Sequence, residues 1–260
     1  MREPFYSGSF YPSTRTECER ELSVLSRNAK ATHDARAVIS PHAGWLYSGE
    51  TAANAFAALK KAPTIVLLSP SHSGARVPVA TSAEDWRTPL GKIQLDCKLM
   101  SELVDSNAIA VDESAHEGEH AIEVLLPFVQ HYFPKARFVP IVFADQSLDA
   151  ALAVAGALCE SQRGFSVVAS SDFTHYEPSG EAREKDEELL RALFAMDGAA
   201  FYEAIRVTGA TACGFAPIAC ALSWAKSAGA KLGELLHFSN SGDASGDYSR
   251  VVDYAAVAFR

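Results

Sequence analysis

Short, mainly apolar runs of strand length alternate along this chain with segments that have the apolar spacing of helices. Ala35–Ser40, Thr64–Ser69 and Phe165–Ser170 are such runs, and runs of this kind fit parallel strands that are covered on both faces. Helical patterns separate them, as over the Ala-rich stretch Gly49–Lys61. The alternation predicts an α/β fold: a single three-layer αβα domain, residues 1–260, with a mainly parallel central sheet.

The end of the chain departs from this alternation. Leu232–Ser239 and Val251–Phe259 are two strand patterns in succession, joined by the turn-rich sequence NSGDASGDYS. Consecutive strands joined by a short connection pair antiparallel. We therefore expect a mixed sheet with an antiparallel edge.

Net charge, the length of apolar runs and cysteine spacing bear on the partners and the compartment of this protein. The formal net charge is −9, which argues against nucleic acid because phosphate binding needs a basic face. No apolar run approaches the length of about 18 residues that a membrane span requires. The five cysteines are scattered without a CxxC pair, a pattern that suits a reducing compartment. These features predict a cytoplasmic protein with no nucleic-acid or membrane partner.

Three predicted strands lead directly into histidines. His42 follows the first in SPHAG, His72 follows the second in SPSH, and His175 follows the third in SSDFTH. Ligands of open α/β sheets bind outside the carboxyl ends of the strands, so the three imidazoles are predicted to surround one pocket. Each could instead be an ordinary hydrogen-bonded loop residue. Asp172 is placed to orient His175 or to bind a metal, and its alternative role is a turn or helix cap.

A cysteine adds a fourth element to this pattern. Cys213 precedes Gly214 at the start of a predicted helix, in TACGF. The N-terminus of a helix lowers the pKa of a nearby thiol, and a thiolate can ligate a metal. The alternative is that Cys213 is a small buried hydrophobe, the usual role of a free cysteine.

The stretch HEGEH, residues 116–120, matches the H-E-x-x-H pattern of zinc proteases. In those enzymes both histidines lie on one helix face, but Gly118 disfavours a helix interior here. Ser114 and Glu117 have capping-box spacing, so a helix is predicted to begin near this point and to run over His120–Phe133. The alternative to a protease is a solvated helix entry with only His120 turned inward.

Six ordered motifs resemble the Memo family, whose prokaryotic members are called AmmeMemoRadiSam system protein B. They are SPHAGWLYSG, LLSPSH, WRTPLG, EGEHAIEVLLPF, SSDFTHY and TACGFAPI. The opening REPFYSGSFYP and the closing DYAAVAF also look like that family, so the resemblance covers essentially the whole chain. It implies a fold similar to class III extradiol dioxygenases, which use non-haem iron(II).

The resemblance also implies site residues. Its metal ligands are two histidines and a cysteine, which fall here on His42, His72 and Cys213. Its SDFxH motif supplies pocket residues, from which we expect His175 and Asp172 to be catalytic. Its E-H-x-I-E segment implies substrate-binding residues, namely Glu119, His120 and Glu123. One departure is visible, because family members often carry a second histidine where this chain has Ser73.

These implications lead to a functional expectation with alternatives. Iron(II) is the expected metal, and a thiolate ligand keeps copper and zinc open because thiolate is softer than carboxylate. The expected activity is that of a redox enzyme similar to extradiol dioxygenases, acting on a small molecule or a peptide. The alternative is a non-catalytic binding module. The family name suggests AMMECR-type and radical-SAM proteins as partners.

Overall fold

The computed structural model describes residues 1–260. The strands are β1 Ala37–Ser40, β2 Thr64–Pro70, β3 Val79–Thr81, β4 Trp86–Thr88, β5 Gly91–Ile93, β6 Ala110–Val111, β7 Arg137–Phe143, β8 Phe165–Ser170, β9 His175–Glu177, β10 Gly233–Asn240 and β11 Val251–Phe259. The α-helices are α1 Arg15–Leu25, α2 Trp45–Ala58, α3 Cys97–Asp105, α4 Leu126–Tyr132, α5 Leu148–Glu160, α6 Ser179–Phe194, α7 Gly198–Thr208, α8 Phe215–Ser227 and α9 Ser241–Ser245. None of these helices combines the length and apolar character that crossing a membrane requires.

The central sheet is mixed and mainly parallel, as predicted. Its order is β10-β11-β1-β8-β2-β7-β3-β6, and β9 pairs with β11 outside this path. The four strands at its centre, β1, β8, β2 and β7, are parallel to one another. β11 is antiparallel to both β1 and β10, which confirms the antiparallel edge. A separate hairpin consists of β4 and β5.

Helices cover both faces of the sheet, and the alternation of side chains along β2 divides the core between them. Val66 and Leu68 face a cluster built with α3, α5, α6, α7 and α8. Ile65 and Leu67 face a second cluster built with α1, α2 and α4. All residues of β2 are buried, which explains why its sequence is continuously apolar rather than alternating.

The segment from 112 to 132 differs from its prediction. A 3-10 turn covers Glu113–His116, a second covers Glu123–Leu125, and α4 begins only at Leu126. The predicted helix over His120–Phe133 is therefore wrong in its first half. Pro127 lies in the first turn of α4, where its missing N–H costs nothing, so it is compatible with the start of the helix.

Candidate metal centre

The three histidine-bearing strands are neighbours in the sheet. β1, β8 and β2 lie side by side and parallel, so their carboxyl ends meet at one edge. The ring centroids of His42 and His72 lie 5.2 Å apart at that edge. The structure thus brings together two imidazoles that are 30 residues apart in the sequence.

Cys213 reaches the same place from the loop before α8. Its Sγ lies 3.3 Å from Nε2 of His42 and accepts a hydrogen bond from the backbone N–H of Asp172 at 3.2 Å. Gly214 makes this approach possible, because a Cβ there would lie 2.5 Å from the carbonyl oxygen of Ser170. His42, His72 and Cys213 form a group whose donor atoms all lie within 4.8 Å of one another.

Hydrogen bonds fix which ring nitrogen each imidazole presents. The Ser170 hydroxyl donates its proton to the carbonyl of Ala121 at 2.7 Å and contacts Nδ1 of His42 at 2.7 Å. Nδ1 of His42 must then carry the proton and donate to that oxygen. Nδ1 of His72 donates to Oε1 of Glu119 at 2.9 Å. Both rings therefore offer the lone pair of Nε2, as metal-binding histidines with an outer hydrogen-bond partner do.

Glu119 is buried beside His72, with 1% of its surface exposed. Burial alone would raise the pKa of its carboxyl, but the hydrogen bond and charge of His72 and the Ala121 N–H lower it to about 2. For His72, burial acts to lower the pKa, and Glu119 outweighs it, so the net pKa is raised. These contacts are those of a carboxylate that orients His72. The substrate-binding role expected for Glu119 stays a prediction.

His120 packs against both histidines of the group. Its ring stacks on His72 at 4.7 Å and lies edge-on to His42 at 5.3 Å. Burial, and then the charge of His72, lower the pKa of His120 to about 4, so the ring is neutral near pH 7. Tyr6 and Phe10 of the N-terminal segment cover its other side, with ring centroids at 5.4 and 5.0 Å.

Asp172 and His175 follow β8 and border the same site. Asp172 accepts a hydrogen bond from the backbone N–H of His42 at 2.8 Å, and burial raises the pKa of its carboxyl. Nδ1 of His175 donates to the carbonyl of Thr211 at 2.9 Å, which leaves Nε2 free. Burial and then the charges of the neighbouring histidines, His175 among them, lower the pKa of His42, whereas the charge of His175 opposes the raised pKa of Asp172. The catalytic roles of Asp172 and His175 stay predictions.

Comparison with known proteins decides the family. The family model described as "Memo-like protein" matches residues 2–258. The chain belongs to the Memo family. A MEMO1 family protein of Methanosarcina barkeri is 40% identical over 99% of both chains. A MEMO1 family protein of Archaeoglobus fulgidus is 38% identical over 100% of both chains, and one of Methanopyrus kandleri is 37% identical over 100% of this chain and 99% of its own.

The stretch HEGEH does not have the helical geometry of the zinc-protease motif. The 3-10 turn ends at His116, and Gly118 has a left-handed φ of +66°, so the two histidines do not share a helix face. His116 is buried against Trp86 at 5.3 Å, and burial followed by the charge of Arg2 lowers its pKa to about 4. His120, not His116, lies with the metal-donor groups. The zinc-protease hypothesis is wrong.

Glu123 contacts the N-terminal segment, which the sequence did not reveal. Its carboxylate is fully buried. It accepts hydrogen bonds from the backbone N–H groups of Phe5 and Tyr6 and from the Tyr11 hydroxyl, and it pairs with Arg2 at 2.8 Å. Glu123 thus anchors the N-terminal segment that packs against His120. A substrate-binding role for Glu123 stays a prediction.

The donor set of this Memo-family site fits a metal ion. Bond lengths of about 2.0–2.3 Å to nitrogen and sulfur place ligand atoms roughly 3–4 Å apart, and the Cys213 Sγ to His42 Nε2 separation is 3.3 Å. Burial raises the pKa of the Cys213 thiol, so an ion must displace its proton. Buried carboxylates nearby, at Asp172 and Glu119, form no salt bridge with lysine or arginine. Buried charge of this kind is compensated by pairing or by a metal.

Proposed function

We propose that this Memo-family protein is a metal-dependent redox enzyme similar to class III extradiol dioxygenases. The observation that carries the proposal is the group formed by His42, His72 and Cys213, with both imidazoles presenting Nε2. These three residues would hold the ion. When bound, iron(II) would supply one-electron chemistry with O₂ and a Lewis acid for a substrate oxygen.

The chain's own residues supply the proton chemistry in this proposal. His175 has a free Nε2 because its Nδ1 is bound to Thr211, which suits a general acid or base. Asp172 has a raised pKa through burial, so it is able to hold a proton nearer neutrality than an exposed aspartate. The lowered pKa of His120 keeps its ring neutral near pH 7, which makes it a weak proton acceptor. We assign proton transfer to His175 first and Asp172 second.

Iron(II) is our leading metal, with copper and zinc as alternatives. Iron(II) oxygenases of the facial-triad type use two histidines and a carboxylate, whereas thiolate favours copper(I) or zinc. The proposal for iron rests on the resemblance to extradiol dioxygenases. The thiolate of Cys213 is what keeps the softer metals open.

Metal content tests the site before any substrate is known. Protein purified without oxygen is measured by mass spectrometry, as wild type, His42→Ala and Cys213→Ser. We expect about one ion per chain in the wild type and a loss in both variants. Loading with Co²⁺ gives a second readout, because a thiolate ligand produces an intense near-ultraviolet charge-transfer band. A wild-type protein whose Co²⁺ spectrum lacks that band overturns the assignment of Cys213.

An oxygen-uptake screen tests the reaction class. The iron-loaded protein is mixed with a panel of catechols, and His175→Gln serves as the comparison. Oxygen consumption that falls in the variant while metal content is unchanged supports the redox enzyme. No consumption with any catechol, in protein that holds its full complement of iron, removes the ring-cleaving proposal.

A binding module is the second candidate function. Aromatic side chains are exposed on segments that adjoin the site, with Tyr47 at 43%, Tyr176 at 66% and Phe5 at 70% exposure, and exposed aromatics of this kind favour a peptide or protein ligand. This candidate predicts tight, metal-dependent binding of a peptide with no turnover. Binding that persists after the metal is removed contradicts it.

The cellular setting is also a proposal. We propose a cytoplasmic protein that acts on a small molecule or peptide in one pathway with AMMECR-type and radical-SAM proteins, without a nucleic-acid or membrane partner. The five free cysteines and the net charge of −9 support the compartment and the absence of nucleic acid. Co-occurrence of the three genes tests the pathway, and an isolated gene in most genomes contradicts it.

A further inference from the structure

A second group of metal donors shares His72 with the first. Oε1 of Glu119 lies 2.9 Å from Nδ1 of His72 and 3.5 Å from Nδ1 of His120. One donor atom from each of the three residues lies within 4.8 Å of the other two. These separations match the roughly 3–4 Å spacing of ligands around an ion with bonds of about 2.0–2.2 Å. The three side chains form a set of two histidines and one carboxylate.

Glu119 has no lysine or arginine side chain paired with its carboxylate. Glu119 is 1% exposed, and its carboxylate contacts only the histidines 72 and 120 among basic side chains. Buried carboxylates are otherwise paired with fixed cations, as Glu123 is with Arg2. Neither ring nitrogen of His120 has a hydrogen-bond partner within the chain, and its side chain is 20% exposed, so an ion can reach it.

The two sets compete for one imidazole. The first set uses Nε2 of His72 as the donor atom. The proton then stays on Nδ1, which donates a hydrogen bond to Glu119. The second set needs Nδ1 of His72 as a donor, so the proton must move to Nε2. A neutral imidazole has only one unprotonated nitrogen. One ion at a time is therefore expected, in one set or the other.

We propose that His72, Glu119 and His120 form a second, alternative metal site, which takes harder divalent cations than the thiolate site. A carboxylate ligand suits manganese(II), whereas a thiolate ligand suits softer metals such as copper(I) and zinc. His72 would be the shared ligand, and the identity of the bound ion would decide which set closes around it. The inference goes beyond the proposed function, and the two sets of metal ligands share only His72.

Manganese binding to the full-length protein tests this site without an activity assay. The electron paramagnetic resonance signal of free Mn²⁺ disappears as the ion binds. Cys213→Ser, which removes the thiolate, is expected to bind about one Mn²⁺. Two double variants then form a matched pair, because each removes one imidazole that packs on His72. Cys213→Ser with His42→Gln is expected to keep the ion, whereas Cys213→Ser with His120→Gln is expected to bind it at least about 10-fold more weakly.

The results for the two double variants can be told apart from a failure of the thiolate-site assignment. The inference is overturned if the His120 double variant binds Mn²⁺ as tightly as Cys213→Ser, or if Cys213→Ser binds none. It is also overturned if the His42 double variant loses the ion, since the donors would then be those of the first set. His131→Gln in the Cys213→Ser background controls for loss of any histidine. The Co²⁺ thiolate band of the wild type reports on the first site independently.

Should a double variant fold poorly, the single variant His120→Gln gives a further test. In otherwise wild-type protein it should leave the Co²⁺ thiolate band unchanged and weaken Mn²⁺ binding. Loss of the band in His120→Gln, in protein with a normal circular dichroism spectrum, places His120 in the thiolate site and contradicts two separate sets. An unchanged band with unchanged Mn²⁺ binding contradicts the second site.

Discussion

Replacement of Glu123 by glutamine tests whether one buried carboxylate anchors the N-terminal wall of the site. Oε1 accepts from Tyr6 N–H at 2.7 Å and from the Tyr11 hydroxyl at 2.9 Å, while Oε2 accepts from Phe5 N–H at 3.0 Å and lies 2.8 Å from the Arg2 guanidinium. An amide has one oxygen and one NH₂ group. Whichever way the introduced amide turns, its NH₂ group would face two donors. Glutamine is therefore not a conservative replacement here.

The expected loss in the free energy of unfolding follows from burial of the Glu123–Arg2 ion pair. The side chain of Glu123 is 0% exposed and that of Arg2 is 12% exposed. Removing one partner from a buried ion pair costs about 3–5 kcal/mol because the other charge is left uncompensated. The total free energy of unfolding of such proteins is about 5–15 kcal/mol. At roughly 2–4 °C per kcal/mol, the melting temperature should fall by about 10 °C.

Urea unfolding of wild type, Glu123→Gln and Glu117→Gln measures this cost. Glu117 is exposed in the same segment and its side chain has no hydrogen bond, so its replacement should stay within about 0.5 kcal/mol of wild type. Hydrogen exchange of residues 5–11 should accelerate only in Glu123→Gln. If the two variants unfold at the same urea concentration, the anchoring role of Glu123 is refuted.

Three further predictions concern the metal site and a buried acid pair. Ser170→Ala leaves Nδ1 of His42 without its partner and should lower Zn²⁺ affinity about 10-fold, measured by chelator competition. Gly214→Ala places a methyl group 2.5 Å from the Ser170 carbonyl and should destabilise the fold by about 1–3 kcal/mol while weakening the Co²⁺ thiolate band. Burial raises the pKa of Asp186, and burial followed by the charge of Asp186 raises the pKa of Asp253, so the folded protein holds a proton that the unfolded chain releases. Wild-type stability should fall as the pH rises through the raised pKa, and Asp253→Asn should remove that fall, measured by urea unfolding at pH 5 and pH 9.

Matched controls separate these effects from general damage. Ser69→Ala removes a buried hydroxyl that has no partner and should leave Zn²⁺ affinity unchanged. Gly156→Ala adds a methyl group at an exposed position of helix α5 with nothing within 4 Å and should not destabilise the fold. Equal Zn²⁺ affinities in wild type and Ser170→Ala contradict the orienting role of the serine. A pH dependence that persists unchanged in Asp253→Asn excludes Asp253 as its source.

Local patterns in the sequence were sufficient to predict the fold class and the edge at which the site lies. Strand and helix periodicity depends on neighbouring residues, so β2, β8 and the antiparallel closing pair were predicted close to their observed bounds. The carboxyl ends of adjacent parallel strands must meet. For that reason the convergence of His42 and His72 was predictable before any distance was known.

Tertiary structure decided what each side chain at that edge contacts. Cys213 meets His42 across 171 positions of sequence, and Glu123 meets Phe5 across 118. No local period reports such contacts, because they depend on how α8 and the N-terminal segment pack against the finished sheet. The left-handed turn at Gly118 sends His116 into the core and His120 to the metal donors. The sequence showed which residues could do chemistry, and packing determined which of them share a site.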